Sequence, residues 1–216
     1  MPLFVAKGVL LRVLRNQLAR RHLYLGLKTN QTHQGFYMCL GGFHNNLALI
    51  NLDLQSFYFK RNFRIMLHFL LRNYRFCFIS NHIREFFNKA KLVFHYHLVF
   101  DYWISGSVSN YKNLSKQEVR KTTGFLKRMP QVIVGLKLEP YKIYNINKET
   151  IGAGIPMFCF LDTNLDVKFF SYFFPVNTKQ LISFNYCIFL LSIMLKRAMI
   201  IKKTKFLRGR VKVGRV

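Results

Sequence analysis

Acidic residues are scarce in this sequence: 8 Asp and Glu stand against 34 Lys and Arg in 216 residues, a formal net charge of +26. All of the acids fall between Asp53 and Asp166, so both ends of the chain are basic throughout. A free globule of this charge repels itself, and the imbalance therefore indicates a polyanionic partner. Nucleic acid is the partner that we expect, and an anionic membrane is the alternative.

Cysteine is also sparse, with 4 residues, Cys39, Cys77, Cys159 and Cys187, and no C-x-x-C pair. Cys77 and Cys159 lie inside apolar runs, where a free Cys behaves as a small hydrophobic residue. The spacing therefore favours neither a disulfide nor a zinc site.

Motifs of catalysis are missing as well. Gly152-Ala-Gly154 precedes an apolar run, whereas a phosphate-binding glycine loop follows a strand and opens a helix. Asp162 has no evident partner that would make it a general base. His95-x-His97 places both rings on one face of a strand at a spacing that suits a metal, but structural or RNA-facing histidines are the favoured interpretation. We predict no enzyme, no cofactor, no metal and no small-molecule substrate.

A full-length hydrophobic span is absent too. Leu181–Leu195 is uncharged, but a spanning helix needs about 20 apolar residues. Asn185 and Ser192 interrupt this run, and extending it to Ile201 takes in basic residues. A core helix is favoured over a membrane helix.

Apolar residues make up 51% of the chain, enough for one α/β domain with extensions. Ile155–Leu161 predicts a buried strand, followed by a polar loop at Asp162-Thr163-Asn164. Phe169–Phe174 predicts a second strand, and Thr178 is placed to cap a helix over 178–201. Strand, loop, strand and helix is the closing half of an open α/β sheet.

The remaining elements follow the same reasoning. We expect strands at Phe76–Ser80, Phe94–Phe100 and Gln131–Leu136, and helices at 54–72, 82–91, 116–127 and 141–151, with Gly152 or Gly154 ending the last of these. Gly35–Asn46 is interpreted as a loop. The predicted fold is a three-layer, flavodoxin/Rossmann-like parallel sheet of about five strands with helices on both faces.

Three segments are predicted: a basic N-terminal helix and loop over 1–53, an α/β domain over 54–195 and a flexible basic tail over 196–216. Met1–Arg21 is a basic amphipathic helix pattern. It is interpreted as a retained first helix, with a mitochondrial presequence as the alternative.

Two separate blocks resemble the small ribosomal subunit protein two family. The first is Tyr102–Lys112, where Trp103, Gly106, Asn110 and Lys112 match and where Tyr102 and Ser105 depart from the family's residues. The second block matches at Gly154, Ile155, Pro156, Asp162, Thr163, Asn164, Pro175 and Asn177.

The chain departs from the family pattern at two further places. Ser80-Asn81-His82 stands where the family has Gly-Thr-Lys, with His82 or Arg84 as substitutes. The family's long helical hairpin is missing or reduced to 114–129.

The resemblance implies a structural constituent of the small ribosomal subunit, between its head and body, which binds ribosomal RNA and adjacent ribosomal proteins without a stable homo-oligomer. The bias to Phe and Tyr, 23 and 11 residues, favours an organelle-encoded gene. A mitochondrion is therefore expected, with a plastid second. A free basic RNA-binding regulator is the alternative function, and a membrane-associated basic protein is less favoured.

Basic side chains supply the predicted RNA surface, because Arg and Lys bind phosphate. The candidates are Arg12, Arg15, Arg20, Arg21, Lys28, Arg61, Arg64, Arg72, Arg75, Lys112, Lys116, Arg120, Lys121, Lys202, Lys203, Lys205, Arg208, Arg210, Lys212 and Arg215. Tyr24, Tyr37 and Tyr111 are candidates for stacking on bases.

Overall fold

A computed structural model describes residues 14–80, 98–100, 103–111 and 129–213. The predicted helices at 82–91 and 116–127, the reduced hairpin arm, the pair His95 and His97, and most of the N-terminal helix lie outside these ranges. Residues 14–20, the described end of that first helix, are helical.

The centre of the fold is a five-stranded sheet in which every pairing is parallel. Its strands are β4 (Phe76–Ser80), β5 (Leu98–Phe100), β6 (Val132–Leu136), β7 (Met157–Leu161) and β8 (Tyr172–Pro175). They lie in the order β5-β4-β6-β7-β8. This is the 2-1-3-4-5 order of flavodoxin-type doubly wound sheets, so the predicted α/β fold is confirmed.

Continuous apolar runs produce these strands because both faces of the sheet are covered. Every residue of β4, β6 and β7 is buried. Alternate residues enter two cores: Phe76 and Phe78 pack with the helices of one face, and Cys77 and Ile79 pack on the other face. The predicted three layers therefore follow from the alternation of side chains along each strand.

One face is covered by α1 (Leu52–Leu71) and by α3 (Leu181–Val213), which pack against each other. Asn51 caps α1, since its side chain accepts hydrogen bonds from the backbone N–H groups of Asp53 and Leu54. The other face is covered by α2 (Pro140–Gly152) and by residues 103–111. The helix predicted at 54–72 is confirmed to within two residues at its start.

α2 ends in a Schellman motif. Gly154, at φ +67°, donates to the carbonyl of Ile151, and Ile155 donates to the carbonyl of Thr150. The positive φ explains why glycine stands here, and it confirms the predicted end of this helix.

A second, smaller sheet replaces the predicted loop at Gly35–Asn46. It is antiparallel, in the order β1 (Leu25–Lys28), β3 (Leu47–Ile50), β2 (Leu40–His44). Asn45 and Asn46 form the two-residue turn between β2 and β3, with φ of 46° and 59°. Asparagine tolerates positive φ, which a type I′ hairpin turn requires at both positions. A 3-10 helix, Gln34–Cys39, leads into β2.

The C-terminal prediction was wrong in two respects. First, α3 begins at Leu181, and Thr178 does not cap it. The side-chain oxygen of Asn177 accepts hydrogen bonds from the N–H groups of Lys179 and Gln180, just before the helix starts. Second, residues 196–213 are not a flexible tail, because α3 passes residue 196 without a break and Ala198 is in the core. No proline interrupts this stretch, so the helix is free to continue.

Candidate nucleic-acid interface

The loop at Asp162-Thr163-Asn164 joins three parts of the fold. Asp162 accepts hydrogen bonds from the backbone N–H and the hydroxyl of Thr178, both at 2.6 Å. Burial raises the pKa of Asp162, and the two hydrogen bonds from Thr178 act in the opposite direction. Asn164 buries its side-chain oxygen without a hydrogen-bond partner. The predicted turn-forming role of Asp162 thus extends to a contact with the segment before α3.

Thr163 attaches the small sheet to the large one. Its hydroxyl accepts from the N–H of Leu27 in β1 at 3.0 Å, and its carbonyl accepts from the N–H of His33 at 2.8 Å. A Cβ added to Gly26 would lie 2.5 Å from the Thr163 methyl group, so only glycine allows the two sheets to approach this closely. The motif residues Asp162 and Thr163 therefore position neighbouring elements of the fold.

The Trp103 block is held by one carboxylate of α2. Glu149 accepts from the backbone N–H of Gly106 at 2.8 Å and of Val108 at 3.3 Å, and the Trp103 indole N–H lies 3.5 Å from it. Gly106 adopts φ +87°, which favours glycine. The sequence did not single out Glu149, because the residues that it binds lie more than 40 positions away.

Gln55 and Asn62 of α1 were also missed. Asn62 donates to the carbonyl of Phe173 at 2.6 Å, and Gln55 donates to the carbonyls of Pro175 at 2.7 Å and Leu23 at 3.0 Å. Phe173 and Pro175 belong to β8, an edge strand. Polar side chains on an otherwise apolar helix face thus cover carbonyls that an edge strand would leave open.

Acidic side chains in the described ranges serve the fold, and this leaves basic charge uncompensated. Glu149 and Asp162 bind backbone N–H groups, and Asp166 binds the N–H of Lys168. Asp53 and Glu139 form the two salt bridges found among the described side chains, with Arg15 at 3.0 Å and Lys142 at 2.9 Å. Arg15 is the only predicted RNA contact in these ranges whose charge is neutralised by a salt bridge.

The clearest basic surface is a stripe along α1, formed by Arg61, Arg64, His68 and the C-cap residue Arg72. Spacings of three and four residues place all of them on one side of the helix, and all are exposed. The opposite side of α1 carries Phe59, Met66 and Leu70 into the core. The predicted basic outer face of this helix is therefore present, and we call it the α1 stripe.

The α1 stripe continues toward the edge of the sheet where its strands begin. α1 leads into β4, and α3 leaves β8 on the same face, so both helices run to this edge. Arg75, exposed just before β4, donates its N–H to the side chain of Gln131 at the start of β6. Lys202 and Lys203 follow Ala198 on α3. The topology thus places Arg72, Arg75 and the end of α3 at one edge.

The remaining predicted contacts lie in other parts of the fold, farther along α3, or outside the described residues. Arg21 lies with its guanidinium 6.0 Å from the Tyr186 ring centroid, and Arg20 and Lys28 are exposed elsewhere. Tyr37 is half-exposed against Phe43, whereas Tyr24 and Tyr111 are partly buried. Arg12, Lys112, Lys116, Arg120, Lys121 and Arg215 lie outside the described residues, and Lys205, Arg208, Arg210 and Lys212 lie along the last turns of α3.

A cleft of about 220 Å³ lies where β6 and β7 end, at the edge of the sheet at which ligands bind in such folds but beside the switch point between β4 and β6. Lys137 and Lys179 line it together with Asp162 and Glu139, so its charge is mixed. No group of three or more His, Cys, Asp or Glu side chains comes together within the described ranges. Burial raises the pKa of Cys39 to about 11 and raises those of the other thiols further.

Leu181–Thr204 of α3 is long and apolar enough to cross a membrane, and 39% of its most apolar window is buried within the protein. Length and composition alone do not separate a spanning helix from a core helix. Its core residues, among them Phe184 and Leu191, pack against the sheet.

No protein-family model matches this chain, and no curated protein matches it. The resemblance to the small ribosomal subunit protein two family therefore stays a prediction from the two motif blocks.

Proposed function

We propose that this chain is a structural protein of the small ribosomal subunit, and that it binds small-subunit ribosomal RNA and adjacent ribosomal proteins in mitochondrial translation. The proposal rests on a difference between the acidic and the basic side chains. The acids of the described ranges bind backbone groups or form salt bridges, whereas the α1 stripe is exposed with no acidic residue among its members. Such a surface attracts phosphate, and it does so without any catalytic group.

The motif residues support the same proposal. In a structural RNA-binding protein the motif positions are needed to hold a rigid shape, and Asp162, Thr163, Gly106 and Gly154 all have such a role here. A plastid ribosome is the second choice of location, since the argument from Phe and Tyr content applies to either organelle genome.

Ultraviolet cross-linking tests the RNA partner. The tagged chain is cross-linked in intact organelles, and the bound RNA is sequenced. We expect reads concentrated at a few sites of the small-subunit ribosomal RNA, and we expect the cross-linked peptides to include α1. Reads spread over messenger RNAs would contradict the ribosomal proposal.

A free RNA-binding regulator is the second candidate, because the α1 stripe would serve it equally well. The two candidates differ in stoichiometry: a ribosomal constituent is present once per small subunit, whereas a regulator is substoichiometric. Quantitative mass spectrometry of purified small subunits separates them.

A further inference from the structure

The side of α3 that faces away from the sheet carries a regular apolar seam. Its residues are spaced alternately by four and three positions, and we call them the outer seam: Ile182, Tyr186, Phe189, Ile193, Lys196, Ile200 and Lys203. This spacing is the heptad pattern by which one α-helix packs along another. The side facing the core is formed by other residues, among them Phe184, Leu191 and Leu195, although Tyr186 of the seam also packs partly against the core.

Four of the five apolar residues of the outer seam are exposed, and the fifth, Tyr186, is partly buried. The exposed fractions are 58% for Ile182, 55% for Phe189, 45% for Ile193 and 62% for Ile200. At its start it opens into a groove of about 360 Å³, lined by Arg21, Ile182, Asn185, Tyr186 and Phe189. A contiguous row of exposed branched and aromatic side chains is a mark of a protein interface.

Charge determines which occupant suits the seam. Lys196 and Lys203 stand at seam positions, Arg21 borders the groove, and the last 50 residues contain no acid. A second copy in parallel register would place lysine against lysine and join two chains of charge +26. RNA does not match the apolar side chains, since phosphate and base recognition uses basic, polar and aromatic groups.

A lipid occupant fits less well for a geometric reason. The residues of the opposite side of α3 are buried against α1 and the sheet, so this helix cannot be surrounded by lipid without leaving the core. Lys196 and Arg197 also lie within the stretch that would cross the bilayer.

We propose that the outer seam of α3 binds one α-helix of an acidic protein partner, whose apolar residues pack between Ile182 and Ile200 and whose Asp or Glu residues face Lys196 and Lys203. Complementary charges beside an apolar heptad seam select partner and register. The inference is independent of the proposed function, because an RNA-binding regulator with this helix would need the same kind of partner.

Designed peptides test the chemistry of the seam on the purified full chain. The first peptide spans about three heptads, with Leu at its core positions and Glu opposite Lys196 and Lys203. The matched control peptide has Lys at those two positions. We expect the Glu peptide to bind about tenfold more tightly in fluorescence anisotropy, and we expect the preference to reverse for Lys196→Glu/Lys203→Glu. Equal binding of both peptides, or no binding, would overturn the proposal.

Cross-linking tests the natural occupant. The native thiols are buried, so a benzophenone maleimide attached to Ile193→Cys labels the seam selectively. Tyr141→Cys, exposed on α2 across the sheet, is the control site. We expect the labelled chain, added to organelle extract, to cross-link from 193 but not from 141 to a helical segment with heptad-spaced apolar residues and acidic neighbours. The proposal would be overturned by cross-links to lipid, to RNA, to a second copy, or to a protein segment without this pattern. The absence of a cross-link would also overturn the proposal.

Discussion

Thr178 donates both its backbone N–H and its hydroxyl to the carboxylate of Asp162, each over 2.6 Å. Asp162 follows β7, and Thr178 follows β8, so this pair joins the carboxyl ends of two neighbouring strands. The two hydrogen bonds, with the charges of Lys137 and Lys179 nearby, partly offset the cost of burying this carboxylate. The same pair positions the segment that leads into α3.

Asp162 gives the stability of the protein a pH dependence of predictable sign. Because burial raises its folded-state pKa above the ordinary value of 3.8, its contribution is greatest below that pH and is lost as pH rises through the raised pKa. Asp162→Asn removes the buried charge. We therefore expect urea denaturation to show the variant gaining stability relative to the wild-type protein between about pH 4 and pH 7. A relative loss over this range would contradict the assignment.

Asp162→Ala tests the hydrogen bonds of this pair. It removes the titrating carboxylate, as Asp162→Asn does, and also leaves the N–H and hydroxyl of Thr178 without their acceptor. We therefore expect the free energy of unfolding to fall by about 1–3 kcal/mol at acidic pH, and by less as pH rises and the contribution of the wild-type carboxyl declines. Unchanged stability in this variant would show that the pair does not support the fold.

Glu149 is expected to control the environment of Trp103, the single tryptophan of the chain. Glu149→Ala removes the acceptor of Gly106, Val108 and the Trp103 indole, which frees the 103–108 turn. We predict a red shift of tryptophan emission and stronger quenching by acrylamide. Glu139→Ala, at an exposed acid paired with Lys142, is the control and should leave the emission unchanged. An unchanged spectrum in Glu149→Ala would contradict the role of Glu149.

Phe174 is expected to be a principal source of core stability. Its ring stacks on Phe160 at 4.4 Å between centroids and meets Phe59 edge-on at 5.0 Å, and it is fully buried. Phe174→Ala should lower the free energy of unfolding by about 3–5 kcal/mol. Phe169→Ala, at a ring that is 60% exposed, should cost far less. If denaturant titrations gave similar losses in the free energy of unfolding for both variants, burial would not explain the contribution of Phe174.

The α1 stripe should determine the salt dependence of RNA binding. Arg61→Gln/Arg64→Gln/Arg72→Gln removes three cations from one side of α1, and we expect weaker binding with a salt slope reduced by about 0.7 to 0.9 for each lost phosphate contact. Lys142→Gln/Lys148→Gln/Lys168→Gln removes the same charge from the α2 side of the sheet. RNA binding of both triple variants is measured by filter binding over a salt series. A larger loss in the α1 variant indicates local contacts. Equal losses in the two variants would indicate an effect of net charge alone and would contradict an interface on α1.

The thiols should be unreactive in the folded protein. With a pKa raised to about 11, the least shifted of them, Cys39, is almost entirely protonated at pH 8. We expect Ellman's reagent to modify the native chain slowly and to titrate 4 thiols after denaturation. Rapid reaction of a native thiol would contradict the burial of these side chains.

The sheet could be predicted from the sequence because uninterrupted apolar runs have few alternatives to a covered parallel strand. The run Phe76–Ser80 forms a strand over its whole length, and the run Ile155–Leu161 forms one over Met157–Leu161. The hairpin at Asn45-Asn46 is not evident from the sequence because Gly, Asn and His are typical of loops, although Asn-Asn also suits a turn with positive φ.

The basic composition of residues 196–216 indicates a flexible tail, whereas the absence of proline lets α3 continue to Val213. Gln55, Asn62 and Glu149 had no local signal, since their partners lie far away in sequence. The α1 stripe was predictable because helical spacing fixes which side chains share a face. The identity of the polyanion that binds the α1 stripe was not predictable, because exposed arginines bind any polyanion.

Sedimentation tests the central proposal most directly. An organelle lysate is separated on a sucrose gradient in about 0.5 M salt, where screening removes loosely held basic proteins. We predict that the chain remains in the small-subunit peak. Recovery in the light fractions alone, or with membranes, would contradict a ribosomal role and favour the regulator or the membrane-associated protein.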